Sequence, residues 1–210
     1  MKKKNVKIST HPLILDKVSK IRDKKTSVKD FRHLMGEISM LLGYEALASV
    51  KLKNVIIKTP LAPCESKIVS QDITFISILR AGLGMVDGLV ELYPDAKIAH
   101  IGMYRNENTL SPVRYYFKVP KKIKDSFVLL ADPMLATGGS AVEAVNMLKE
   151  KGADKIYFLC LIASKKGLDY FTSVHPDVPV FVAAVDEKLN NKGYIVPGLG
   201  DAGDRTFGTL

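Results

Sequence analysis

One acid followed by small residues, Asp132-Pro-Met-Leu-Ala-Thr-Gly-Gly-Ser140, closes an apolar run that begins at Phe127. Thr137, Gly138 and Gly139 make a turn whose backbone N–H groups lead into a helix, an arrangement suited to a phosphate. No Lys follows the glycines as a P-loop would need, which argues against a nucleoside triphosphate. Asp132, at the carboxyl end of a strand, can accept hydrogen bonds from hydroxyls, so the pair of features points to a sugar phosphate. A second candidate is Arg80, which leads Arg80-Ala-Gly-Leu-Gly84 after another apolar run. Its guanidinium fork matches phosphate oxygens bidentately.

The elements that must hold these residues follow from periodicity. Apolar runs at 74–79, 97–102, 127–131, 156–162 and 180–185 predict strands, with helices over 83–92, 141–151 and 167–174. Ser140 and Glu143 have capping-box spacing, which predicts that the middle helix starts at Ala141, and Gly152 is placed to close it. The alternation is βαβ, so a parallel sheet with right-handed crossovers is expected, with ligands at the strands' carboxyl ends. That rule gathers 80–84, 132–140 and the residues after Asp186. Before this core, His11-Pro12 opens one helix and Ser27 caps a second, and a short β-like segment follows at 55–59. Residues 103–120 are too polar for a core strand and read as a flexible loop or hairpin over a site. Residues 186–210 show no regular pattern and carry several glycines beside Pro197, as a rigid irregular lobe would.

At 210 residues the chain is expected to be one domain, 1–210, divided into 1–72, an α/β core over 73–185 and a lobe over 186–210. No apolar run approaches the roughly 20 residues that span a membrane, and no signal-peptide core follows the N-terminal lysines. Cys64 and Cys160 have no metal or redox spacing and read as reduced thiols of a cytoplasmic protein. His11, His33, His100 and His175 are scattered, which predicts neither zinc nor a catalytic histidine. The formal charge of +9 fits either attraction of polyanions or a solvated lysine surface. The lysines are dispersed and no aromatics interleave them, so a nucleic-acid surface is not expected.

The order and spacing of Ile78-Leu-Arg-Ala-Gly-Leu-Gly-Met85, Gly102-Met-Tyr-Arg-Asn106, the 132–140 motif and Tyr194-Ile-Val-Pro-Gly-Leu-Gly-Asp-Ala-Gly-Asp-Arg205 resemble the uracil phosphoribosyltransferases, a branch of the type I phosphoribosyltransferases. Type I enzymes usually carry two adjacent acids where this chain has Asp132-Pro133, and Asp-Pro marks the uracil branch. The resemblance implies a central parallel sheet flanked by helices, N-terminal helices, a flexible β-arm or loop and a C-terminal base-binding lobe. It implies transfer of the 5-phosphoribosyl group of phosphoribosyl pyrophosphate (PRPP) to uracil N1, giving UMP and diphosphate.

The resemblance also distributes roles. Asp132, Pro133, Met134, Leu135, Ala136, Thr137, Gly138, Gly139 and Ser140 would bind PRPP together with Arg80, Arg105 and Asp201. Ile195, Gly200, Asp201 and Ala202 would contact uracil. Asp132, Asp201 and Arg105 would be the catalytic group, with the amides of Ala81 and Gly82 helping Arg80. Tyr104, Arg114 and Tyr115 receive no role. Asp204 and Arg205 could equally be a structural pair. Mg²⁺ would arrive on PRPP with no dedicated protein ligand, a homo-oligomer is implied, and some relatives take a GTP effector. Two alternatives stay open: a relative using another base, such as a purine or orotate, and a PRPP- or nucleotide-sensing regulator that binds nucleic acid.

Overall fold

The structure, a computed structural model, describes residues 5–105 and 112–209. One eight-stranded sheet organises them. Its strands are β1 (Val6–Ile8), β4 (Ile73–Leu79), β5 (Lys97–Arg105), β6 (Pro112–Lys118), β7 (Phe127–Ala131), β8 (Met134–Leu135), β9 (Lys155–Ser164) and β10 (Val180–Asp186). They lie in the order β1-β10-β9-β7-β4-β5-β6, with β8 paired to β9. Every pairing is parallel except β5 with β6. β7 sits between β4 and β9, which is why Phe127–Ala131 can be apolar without alternation: both faces are covered.

Five helices cover the two faces. On one lie α4 (Gly139–Glu150) and α5 (Lys165–Val174), closing a core with Ile76, Val128, Leu130, Phe158 and Phe171. On the other lie α1 (Pro12–Arg22), α2 (Val28–Ala46) and α3 (Leu83–Leu92), packed on Phe75, Phe127, Leu129 and Leu161. The alternate residues of β7 thus serve opposite layers, as the pleat requires. The α1 and α2 readings hold: Pro12 is the first helical residue of α1, and the Ser27 hydroxyl accepts from the Asp30 amide at 3.1 Å.

Two expectations gain detail and two need correction. The β-like segment is one half of an antiparallel hairpin, β2 (Leu52–Lys58) with β3 (Pro63–Val69). Of the 103–120 segment, expected as a loop or hairpin, the described parts lie mainly in β5 and β6, which pair antiparallel and extend the sheet; residues 106–111 lie outside the described residues. The 186–210 lobe is not wholly irregular: it holds a ribbon, β11 (Lys188–Leu189) with β12 (Ile195–Val196), and a helix, α6 (Ala202–Phe207). Finally, α4 starts at Gly139 and no side chain caps it, so Ser140 and Glu143 form no capping box. Gly138 adopts φ +87°, which turns the chain into the helix without a side-chain cap. Glu143 instead accepts from Arg114 on β6.

Candidate functional site

The cradle is positioned by what lies beneath it. Asp132 follows β7 directly, its amide donating to the Leu159 carbonyl at 3.1 Å. The Pro133 carbonyl accepts from Leu161 and Ile162, and β8 then runs beside β9. Pro133 and Leu135 are therefore buried, and only backbone atoms remain for them to offer a ligand. Ser164 braces the next step: its hydroxyl donates to the Ala136 carbonyl at 2.5 Å and accepts from the Gly167 amide at 2.8 Å, capping α5. A Cβ on Gly138 would lie 3.0 Å from the Gly167 carbonyl and from the Tyr170 ring. Because α4 has no side-chain cap, its first amides stay available for an anion.

The C-terminal lobe is fastened from the other end of the chain. Arg22, the last residue of α1, donates to both carboxylate oxygens of Asp186 at 2.7 and 2.8 Å and to the Gly198 carbonyl at 2.7 Å. The Gly198 amide returns a bond to Asp186 at 2.9 Å. Burial pushes the Asp186 carboxyl up, but the Arg22 and Gly198 bonds outweigh it and hold the group below its ordinary value. Gly198 has φ +58°, and a Cβ there would stand 2.2 Å from the Ile195 carbonyl. Arg205 anchors α6, donating to the carbonyls of Ile21, Leu199 and Asp23 while its guanidinium lies 4.4 Å from the Phe31 ring centre. Asp204 and Arg205 are thus not paired with each other; each faces a different neighbour.

Between cradle and lobe opens a cleft of about 440 Å³. From the core it is lined by Ala81, Asp132, Met134 and Ala136. The lobe contributes Ile195, Gly200, Asp201 and Ala202, the four residues expected at uracil. The three segments that the strand-end rule gathers do meet here. Lys192, Gly193 and Tyr194 also line it and received no expected role. Tyr194 opened a motif string that could have flagged it, whereas Lys192 carried no signal. Asp201 caps α6: one carboxylate oxygen accepts from the Asp204 amide at 2.9 Å, the other from the Tyr194 hydroxyl at 3.3 Å. The Asp201 charge in turn raises the Tyr194 phenol above its usual range.

Asp132 is the unusual acid. Desolvation pushes its carboxyl up to about 7, opposed only by a hydrogen bond from the Met134 backbone. Near neutrality it therefore exchanges a proton readily and is sensitive to any cation or hydroxyl brought beside it. Arg80 follows β4 at the rim, its side chain 58% exposed. The Gly82 amide, expected to face a ligand, donates to the Ile78 carbonyl at 3.0 Å instead, whereas that of Ala81 donates to no described residue. Arg105 ends β5, and its side chain lies outside the described residues. Among the described residues no three His, Cys, Asp or Glu side chains gather to hold a metal, and no helix is long and apolar enough to cross a membrane.

Residues 8–209 match the family model described as uracil phosphoribosyltransferase. A uracil phosphoribosyltransferase of Clostridium perfringens is 52% identical over 201 residues, covering 95% of this chain and 96% of the relative. One from Clostridium botulinum is 54% identical over 200 residues, again covering 95% and 96%. Among solved structures, the AQ2163 protein from Aquifex aeolicus superposes with a TM-score of 0.92 at 37% identity, over 96% of this chain and 97% of its own. An adenine phosphoribosyltransferase from Thermoanaerobacter pseudethanolicus, 11% identical with a TM-score of 0.51 over 75% of this chain and 84% of its own, shares the fold.

Proposed function

The chain belongs to the uracil phosphoribosyltransferase family, which converts uracil and PRPP to UMP and diphosphate, and from that premise we propose how its cleft divides the work. The carrying observation is a cavity shared by an acid with a raised pKa, the segment that leads through Ala136 to an uncapped helix start, and a backbone-rich lobe. Residues 136–140 take the 5′-phosphate through the amides that open α4 and the hydroxyls of Thr137 and Ser140. Asp132 accepts from the ribose hydroxyls, and its negative charge favours the oxocarbenium character that grows at C1 as diphosphate leaves. Arg80 and the Ala81 amide meet the diphosphate, and Arg105 closes over it to exclude water.

Uracil lies between Ile195 and the 200–202 segment. Its N3–H donates, while O2 and O4 accept, and backbone groups can read that pattern without side chains. Cytosine reverses the pattern at N3 and C4, leaving buried polar groups unpaired at about 1–3 kcal/mol each. No covalent nucleophile is required, because holding N1 against C1 supplies most of the rate. Mg²⁺ belongs to the proposal as a passenger on PRPP. A hard cation would be held mainly by PRPP oxygens, with the Asp201 carboxylate facing PRPP or the metal, and it would neutralise the diphosphate charge.

One domain over 1–210 accords with a single sheet that gathers strands from both ends of the described chain. A cytoplasmic enzyme accords with two unpaired thiols, Cys64 and Cys160. A homo-oligomer accords with Leu52, Ile56 and Leu61 standing exposed on the β2–β3 hairpin. A GTP effector rests on the family resemblance alone. The test is UMP formation with PRPP and Mg²⁺ against uracil, cytosine, orotate and hypoxanthine. Uracil alone should be consumed; preference for another base would overturn the assignment of the lobe.

A further inference from the structure

Arg80 is held by the helix that follows the base pocket. Its Nη2 lies 3.3 Å from Oδ1 of Asp204, and its guanidinium carbon lies 5.6 Å from the centre of the Phe207 ring. Both partners belong to α6. Asp204 is itself oriented: the Thr209 hydroxyl donates to the same Oδ1 at 2.6 Å, and the Asp204 amide donates to Asp201. An acid in the first turn of a helix is also favoured by the helix dipole. The arginine thus lies across the start of α6, close enough that a Cβ on Gly203 would come within 3.9 Å of its Nη2.

We propose that Asp204 is a positioning residue for Arg80. It presents the guanidinium at the rim of the cleft before PRPP arrives, and it ties the diphosphate-binding turn to the helix that Asp201 caps at the base pocket. An arginine on a long, exposed side chain has much rotamer freedom to lose when it grips a diphosphate. Asp204 and Phe207 restrict that freedom in advance, and preorganisation of this kind raises affinity by lowering the ordering cost of binding. The contact is single and partly exposed, so the effect is modest and falls on PRPP rather than on uracil. The inference rests on the reading of Arg80 as a diphosphate ligand.

The test is a double-mutant cycle over Arg80→Ala and Asp204→Asn, read as PRPP binding in the presence of Mg²⁺, with KM values for PRPP and uracil measured alongside. Arg80→Ala should weaken PRPP binding at least tenfold. Asp204→Asn should weaken it about three- to fivefold, raise KM for PRPP in step and leave KM for uracil within twofold. In the Arg80→Ala background, Asp204→Asn should add nothing. Asp204→Glu, which keeps a carboxylate on α6, should recover most of the loss and serves as the informative variant if Asp204→Asn does not fold. An equal loss in both backgrounds would mean that Asp204 acts through α6 and not through Arg80, which overturns the inference while leaving the role of Arg80 intact. Unchanged binding in Arg80→Ala would instead remove the reading on which it rests.

Discussion

Replacing Asp132 by Asn should make the protein more stable and less active, and the gain in stability should grow with pH. The folded protein keeps the Asp132 proton up to about 7, whereas an ordinary aspartate loses it near 3.8. Between those values the folded state binds more protons than the unfolded one, so the stability of the parent falls as pH rises through the window and levels off above it. The separation of roughly three pH units at about 1.4 kcal/mol each gives an upper bound of about 4 kcal/mol. Asn removes the charge but brings an amide that must find its own partner, so a gain of about 2–3 kcal/mol at pH 8 is expected. At this chain length that is a rise in melting temperature of roughly 4–12 °C. Urea unfolding of parent and variant between pH 4 and pH 9 measures it directly. The two stability curves should meet near pH 4 and separate by pH 8, while UMP formation by the variant falls at least a hundredfold. A difference that stays constant across pH would refute the argument, because the carboxylate would then not be strained by burial.

Gly139→Val should fold normally, since a Cβ there would meet only the Thr137 hydroxyl at 3.9 Å, yet its branched side chain would occupy the approach to the cradle; PRPP affinity should fall more than tenfold, and retained affinity would place the phosphate elsewhere. Asp201→Asn should lower turnover at least tenfold with little change in melting temperature, because Asn caps a helix about as well as Asp; near-normal turnover would remove Asp201 from the catalytic group. Arg22→Ala should cost about 3–5 kcal/mol in urea unfolding, since it leaves the largely buried Asp186 carboxylate with only the Gly198 amide. In the parent the depressed Asp186 pKa contributes stability above the ordinary carboxylate range, lost as pH falls through it, so the Arg22→Ala deficit should shrink in acid.

What could be read from residue order was whatever a single period or motif carries. The central strands and α1 to α3 follow from apolar spacing, and β7 announced its burial through five consecutive apolar residues. The cleft was legible too, because strand ends in a parallel sheet point one way. The misreadings came where a local signal competed with a distant partner. Ser140 and Glu143 have the spacing of a cap, but Arg114 on β6 claims Glu143. α6 lies among glycines with no apolar period to mark it, and its Asp201 cap shows only in the structure. Nothing in the sequence linked Arg22 to Asp186, since an ion pair between residues 164 positions apart leaves no periodic trace.

That latch also sets a schedule. A ribosome adds roughly 5–20 residues per second, so Arg22 emerges on the order of 10–30 s before Asp186, its partner 164 positions later. Throughout that interval the guanidinium at the end of α1 has neither its carboxylate nor the Gly198 carbonyl to meet. The same delay separates Ile21 from Arg205, 184 positions on. The half of the cleft proposed to read the base can therefore be latched only after the strands of the sheet have been synthesised.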